Sequence, residues 1–451
     1  MKRRTFLEKT SALLGLSMAG GFPRVCASGQ RLPASERIRV AVIGVNGRGN
    51  NLLRTFASKK EVEIASICDV DSRVLNRRVS ETKQGGRHDP AGLGDFRKAI
   101  DDKSIDAIVL GTPDHWHALP TIYACMAGKD VYTEKPDSHN ILESCTMAAA
   151  ARKHKRVVQM GTQARSGPHM KEANQYIASG ALGKVRYATA WESMKQGSLG
   201  RPADTKAPAG VDYDMWLGPA PKRPFNRNRF HFNFRWYWDY AGGLMTDWGV
   251  HIIDIVLWGM QAAAPNSVSA SGGKLAYPDD AQETPDTMTA LYEFDDFLMV
   301  WEQATMIELG PFQRAHGIAF IGNNGTLVVD RNGWEIFPEE QLDNRKAVGY
   351  RMEARPPVTA AAGERGLDQH TENFIDCMKT RRQPVCNAEV ASLAAVNAHL
   401  GNIAFRTGTK VHWDQTQMQF QNNDRANQLT KANYHGPVSY THLTLPTILL
   451  V

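Results

Sequence analysis

The chain has 451 residues, 42% of them hydrophobic, enough to bury a large core and to fill two domains. Its net charge of +6 is spread along the chain, and no basic cluster is interleaved with stacking aromatics, which argues against nucleic acid as a partner. No stretch approaches the ~18 apolar residues that a membrane-spanning helix requires.

Residues 1–30 read as a leader rather than as fold. Lys2-Arg3-Arg4-Thr5-Phe6-Leu7 precedes a weakly apolar stretch, Ser11 to Gly21, and a small-residue site at Val25-Cys26-Ala27. That pattern is a twin-arginine export signal and predicts a periplasmic or secreted protein. At the other end, Val438 to Val451 resembles the translation of a transposase adapter from sequencing libraries and takes no part in the predicted fold. Beyond the leader, Cys68, Cys125, Cys145, Cys377 and Cys386 are scattered without a C-x-x-C spacing and are expected to be buried thiols. Only Cys377 and Cys386 lie close enough in sequence to suspect a pair.

The β-branched run 38–43 predicts a buried parallel strand. It leads into Gly44-Val45-Asn46-Gly47-Arg48-Gly49 and a helix-compatible stretch, 50–57. Strand, glycine turn and helix is the context of a dinucleotide fingerprint: the turn brings backbone N–H groups to a pyrophosphate, and the helix N-terminus favours its charge. Asn46 replaces the middle glycine, and Asn tolerates the positive φ expected there. A second strand, 62–68, ends in Asp69, placed to accept adenosine ribose hydroxyls and to repel a 2′-phosphate, so NAD is expected before NADP. Arg73 could reach such a phosphate and keeps NADP open.

Strands at 105–111, 130–133 and 156–161, with helices at 118–127 and 139–153, continue a βαβ alternation. They define a dinucleotide-binding α/β Rossmann-type parallel-sheet domain over 36–162. A strand at 185–192 and a loop rich in Gly, Pro and Lys, 195–224, open an α+β domain over 163–415 with a largely antiparallel sheet. Its expected strands are 287–294, 297–303 and 317–321, and helices 367–380 and 389–405 close it.

The strand ending at Thr112-Pro113 and the one delivering Glu134-Lys135-Pro136 reach the same rim of the parallel sheet, where ligands bind. A bound nicotinamide cation and partial desolvation would both favour the neutral amine that Lys135 needs to act as a base. A surface ion pair between Lys135 and Glu134 is the alternative. Aromatics interleaved with polar groups in Phe230 to Asp239, with Arg235, Trp236 and Trp238, suit a polyol ring, or else core. In Gly242 to Asp254, Asp247 and His251 are four apart on one helical face, where a carboxylate could hold an imidazole's tautomer. The alternative there is a helix-start Asp and a core His. A metal could draw on His115, His117, Asp247 and His251, but the spacing demands none, and none is expected.

The glycine turn, Thr112-Pro113 with His117, Glu134-Lys135-Pro136, the Asp247/His251 spacing and Asn397 to Ala404 together resemble the Gfo/Idh/MocA oxidoreductases, secreted members included, across Arg37 to Asp414. The resemblance implies catalysis by Lys135 with Asp247 and His251. It also places the cofactor on Gly44, Asn46, Gly47, Arg48, Gly49, Asp69, Thr112, Pro113, His117, Glu134 and Lys135. Substrate contacts fall to Arg235, Trp236, Trp238, Asp247 and His251. The implied activity is NAD(P)-dependent oxidation of a hydroxyl on a sugar, glycoside or cyclitol, with tightly bound cofactor and a homo-oligomer built on the second domain's sheet. An NAD-recycling glycoside hydrolase or lyase is the first alternative, and a non-catalytic sugar-binding protein the second.

Overall fold

The computed structural model describes residues 37–361, 363 and 365–435. The expected leader and the 438–451 segment lie outside the described residues.

The first domain alternates β1 (Ile38–Ile43), α1 (Gly47–Ser58), β2 (Val62–Cys68), α2 (Ser72–Gln84), β3 (Ala91–Leu93), α3 (Phe96–Asp101), β4 (Ala107–Leu110), α4 (Ala118–Met126), β5 (Asp130–Thr133), α5 (Ile141–Lys153) and β6 (Val158–Met160). Its strands form a six-stranded sheet in the order β3-β2-β1-β4-β5-β6, parallel throughout. Helices can cover both faces of such a sheet, which is why β4, and β1 after Arg39, are continuous buried apolar runs rather than alternating ones. The order reverses direction between β1 and β4, and the crevice at that switch lies outside the strands' carboxyl ends. The strands predicted at 38–43, 62–68 and 130–133 have those bounds, and those at 105–111 and 156–161 are shorter.

The second domain contains α6 (Pro168–Ala178), β7 (Tyr187–Met194), α7 (Tyr213–Leu217) and α8 (Val250–Met260), then β8 (Ser267–Gly273), β9 (Thr287–Glu293), β10 (Leu298–Thr305), β11 (His316–Ile321), β12 (Gly325–Asp330) and β13 (Gly333–Pro338). A small hairpin of β14 (Glu340–Asp343) and β15 (Lys346–Tyr350) precedes β16 (Val358–Thr359), α9 (Leu367–Thr380), α10 (Ala388–Thr407), β17 (Val411–Asp414) and β18 (Gln419–Phe420). The sheet runs β16-β13-β12-β11-β7-β10-β9-β8-β17-β18, antiparallel except where β10 lies parallel to β7. One face, carrying Ala190, Trp301, Ile318 and Val329, packs on α8 and α10.

Two helices bind the domains together. α10 is capped by Asn387, which accepts from Val390 N at 2.9 Å, and it packs on α5, α8 and β8. α9 turns its buried face to the first domain: Phe374 sits edge-on to Phe56 and Tyr132, with ring centroids 6.1 and 5.8 Å away. The described cysteines are all free and buried, with Cys377 beside α1 and β1 and Cys386 in the second domain's core, so the suspected pair does not form.

Candidate active site

The glycine turn is shaped by contacts that only glycines allow. Gly44 has φ +76°, and a Cβ there would lie 2.8 Å from Thr112 N. A Cβ on Gly49 would lie 1.6 Å from Gly44 O, so the start of α1 rests directly on the turn. Asn46 is not in the positive-φ region expected of it: its φ is −76°, the turn's reversal falls on Gly44, and its Nδ2 reaches His231 Nδ1 at 3.0 Å. The first turn of α1 carries no acidic side chain, which leaves its N–H groups open to an anion.

Asp69, at the end of β2, accepts from Val45 N and Asp71 N, both at 2.9 Å, and thereby clamps the turn. Burial pushes its carboxyl up against those backbone donors. Arg73 is drawn away to Asp71 at 2.9 Å and does not border the cleft that Asp69 lines. This cleft, of about 270 Å³, runs from Gly44 and Asp69 past Thr112 to Lys135, Arg235 and Asp247. A close-packed glycine turn, open helix N–H groups and an acidic strand end fit the pyrophosphate and adenosine ribose of NAD.

At the far end of the cleft, β5 delivers Glu134 and Lys135. Glu134 binds Arg48 Nε at 2.7 Å, so the alternative Lys135–Glu134 surface pair is not made. Lys135 Nζ instead donates to Asp247 Oδ1 and, at 2.7 Å, to the Asp247 carbonyl. Arg235 meets the same carboxylate at 2.6 Å and lies over Phe232, 4.1 Å from the ring centroid. Burial alone would raise the Asp247 carboxyl, but Arg235 and Lys135 override it and hold it well below the usual carboxylate range. Asp114 borders the same cleft with no such partner, and burial pushes it up to about 8.

The chain matches two family models, "Oxidoreductase family, NAD-binding Rossmann fold" of Gfo/Idh/MocA over residues 38–162 and the corresponding "C-terminal alpha/beta domain" over 184–293 and 361–440. The chain belongs to the Gfo/Idh/MocA oxidoreductases. Its first domain is therefore an NAD-binding domain and its class that of an oxidoreductase. A "Glycosyl hydrolase family 109 protein" of Shewanella pealeana is 27% identical over 208 residues, 42% of this chain and 45% of the relative. The chain thus spans under half the length of the curated relatives it matches. Among solved structures, the WlbA dehydrogenase from Bordetella pertussis in complex with NADH and UDP-GlcNAcA superposes with a TM-score of 0.62 at 18% identity, over 84% of this chain and 99% of that one. The myo-inositol 2-dehydrogenase from Lactobacillus plantarum gives 0.62 at 19%, over 83% and 99%. At these identities the likeness is one of fold.

Against this family site, several expected contacts move. His117 does not border the cleft; it is buried beneath the rim, its ring nitrogens 2.5 Å from the Pro136 carbonyl and 2.8 Å from the Thr112 carbonyl. It staples the two strand ends from below the cleft. Trp236 is 1% exposed in an aromatic cluster with Trp216 and Tyr240, which makes it core. Trp238 donates to the Glu283 carbonyl at 3.1 Å and lines a separate cleft with His399 and Arg406. No hydrogen bond joins Asp247 to His251 among the described residues. Met245–Gly249 forms a π turn ahead of α8, and this changes the four-residue geometry that an α-helix would give. His251 instead keeps an unpartnered Nδ1, and burial, with Arg331 and Lys135 nearby, holds its imidazole neutral. Among the described residues no three His, Cys, Asp or Glu side chains are arranged to hold a metal ion.

Sequence reasoning missed Asp114, Glu192, His316 and Arg331. Glu192 did leave a signal: it is a carboxyl inside the apolar strand 187–194, buried, and pushed up to about 9 by desolvation.

Proposed function

We propose that the protein oxidises a hydroxyl of a sugar, glycoside or cyclitol, with Lys135 as the proton acceptor. The observation that carries the reading is the placement of Lys135 Nζ where the nucleotide cleft meets the second domain, oriented by two acceptors of one residue, Asp247. As a neutral amine, Lys135 spends both N–H groups on Asp247 and keeps its lone pair for the proton of a substrate hydroxyl. NAD bound in the cleft supplies the acceptor for the hydride leaving the carbinol carbon. Lys135 takes the hydroxyl proton, Asp247 fixes its amine and Arg235 holds Asp247; neutral His251, outside the cleft's lining but near enough for Lys135 to act on it, keeps Nδ1 free as a second acceptor. The curated family 109 relative supports a second reading, in which the oxidation is transient and the glycosidic bond is cleaved before the nucleotide is restored.

The leader read at Lys2-Arg3-Arg4 supports export of the folded protein, and outside the cytoplasm free NAD is scarce. A cofactor that stays bound and is regenerated within each cycle follows from that placement. The exposed Leu298, Phe312 and Phe337 on the second domain support a homo-oligomer.

The test is Lys135→Met, assayed on a glycoside panel beside the bound nucleotide content. Turnover should fall by about 10²–10⁴-fold with NAD still bound. A loss under about tenfold would reject Lys135 as the base. Counting products per bound NAD, with no free nucleotide, separates the closed cycle from exchange: turnover that stops after one equivalent excludes the cycle.

A further inference from the structure

The sheet face that packs on α8 is apolar until it reaches the Met245–Gly249 turn, and there it changes character. Along β7 the inward positions run Ala188, Ala190, Glu192; along β10, Met299, Trp301, Gln303; along β11, Phe320, Ile318, His316; along β12, Leu327, Val329 and then Arg331, just past the strand end. Register places these terms side by side. Glu192 pairs with Gln303 on one side and with His316 on the other, while Ile318 pairs with Val329, so the next inward step on those two strands is His316 and Arg331. Polar side chains therefore form one row across four strands, under the π turn that carries Asp247.

Trp248, on that turn, roofs the row. Arg331 Cζ lies 4.1 Å from its ring centroid, and the His316 ring 4.8 Å. Gln303 is spent internally, donating to the Pro285 carbonyl at 2.9 Å and accepting from Trp301 Nε1 at 3.1 Å. The other three are open. Glu192 is 4% exposed with Oε2 unpartnered, and His316 Nε2 is unpartnered too. Arg331 makes no ion pair or hydrogen bond among the described residues. Asp330 and Glu335, the carboxylates beside it in sequence, are both taken by Arg314. Burial works against its charge, Glu192, Asp247 and Glu134 favour it from a distance, Arg48 opposes it, and its guanidinium acts in turn on His251 and Glu192. A part-buried guanidinium with no carboxylate in direct contact keeps its planar fork free, and that fork matches a carboxylate.

We infer that Arg331, Glu192 and His316 form a subsite beside Lys135 for the carboxylate of an acidic sugar, so that a hexuronate or its glycoside is the preferred substrate class. This deepens the dehydrogenase reading and rests on it. The carboxylate pairs with Arg331 through two charge-assisted hydrogen bonds. Glu192, which burial keeps protonated at neutral pH, donates to a substrate oxygen, and His316 meets a ring hydroxyl.

The probes are glucuronate, galacturonate and mannuronate methyl glycosides, each beside its neutral hexoside. Binding is measured by calorimetry on NADH-loaded protein, which cannot oxidise them. Wild type should prefer at least one acid over its neutral parent, and Arg331→Gln should weaken that acid by about 10- to 100-fold while changing the hexoside less than about threefold. Arg331→Lys should recover part of the loss, which a merely structural role would not allow. The inference is overturned if no acid is preferred, or if Arg331→Gln weakens acid and hexoside alike with its circular dichroism unchanged. A preferred acid that binds but never reduces bound NAD would instead sink the dehydrogenase reading and leave the subsite standing.

Discussion

Replacing Asp247 with Asn should cost more stability than any neutral-for-charged swap on the surface. The carboxylate is 8% exposed and lies between two cations, Lys135 at 16% and Arg235 at 17%. Asn keeps the shape and one acceptor, but leaves the two cations facing each other without a counter-charge. At an effective dielectric near 20, one unit pair at 4 Å is worth about 4 kcal/mol, and breaking a buried pair by removing one partner costs about 3–5 kcal/mol. A loss of about 3 kcal/mol in apparent unfolding free energy is expected, read as a lower urea midpoint with unchanged slope. Removing one cation as well should relieve the repulsion. Asp247→Asn with Arg235→Met should therefore be more stable than the sum of the single changes predicts, by about 1.5 kcal/mol or more. Because the Asp247 carboxyl is held below its unfolded value, its contribution is complete above about pH 4 and disappears only in stronger acid. The deficit of the variant should therefore be level from about pH 5 upward. A loss under about 1 kcal/mol, or strict additivity with Arg235→Met, would refute the bridging role.

Asp114 gives the opposite pH signature. Its folded value of about 8 lies above the unfolded 3.8, so the native state keeps a proton that the unfolded chain has released, and stability falls as pH rises between those values. Asp114→Asn should gain on wild type by about 1 kcal/mol or more between about pH 5 and pH 7, and thermal melts showing a constant difference would contradict it. At the nucleotide turn, Gly49→Ala puts a methyl 1.6 Å from Gly44 O, so protein purified from cells should carry little NAD. Full nucleotide content in that variant would mean the turn is not the pyrophosphate cradle.

The parts of the site that were legible in the sequence are those written in short, contiguous runs. The strand–turn–helix at 38–58, the acidic end of β2 and Glu134-Lys135-Pro136 each sit in one segment, and each borders the cleft in the structure. What sequence misplaced depends on local helix geometry or on burial. Asp247 and His251 read as a pair only if the backbone is α-helical, and the π turn removes that premise. Trp236 and Trp238 are neighbours of Arg235 in an aromatic run, but only packing decides which ring faces a ligand, and neither faces this cleft. The row from Glu192 to Arg331 was invisible because it needs the pairing of four strands from widely separated stretches, and strand pairing is not written in any one of them.

The crossing of α9 back to the first domain sets an order of assembly. The pocket around Phe56 and Tyr132 is closed by Phe374, a residue made more than two hundred positions after the last strand of the parallel sheet. A ribosome that has released only residues 36–162 has exposed a nucleotide domain with an open apolar face. Its β1 and α1 gain their last packing layer only after β7 to β13 of the second domain's sheet have emerged. Closure of the first domain's apolar face therefore waits on the second domain, and a protein cut after β6 should hold NAD poorly although the glycine turn, Asp69 and Lys135 are all present.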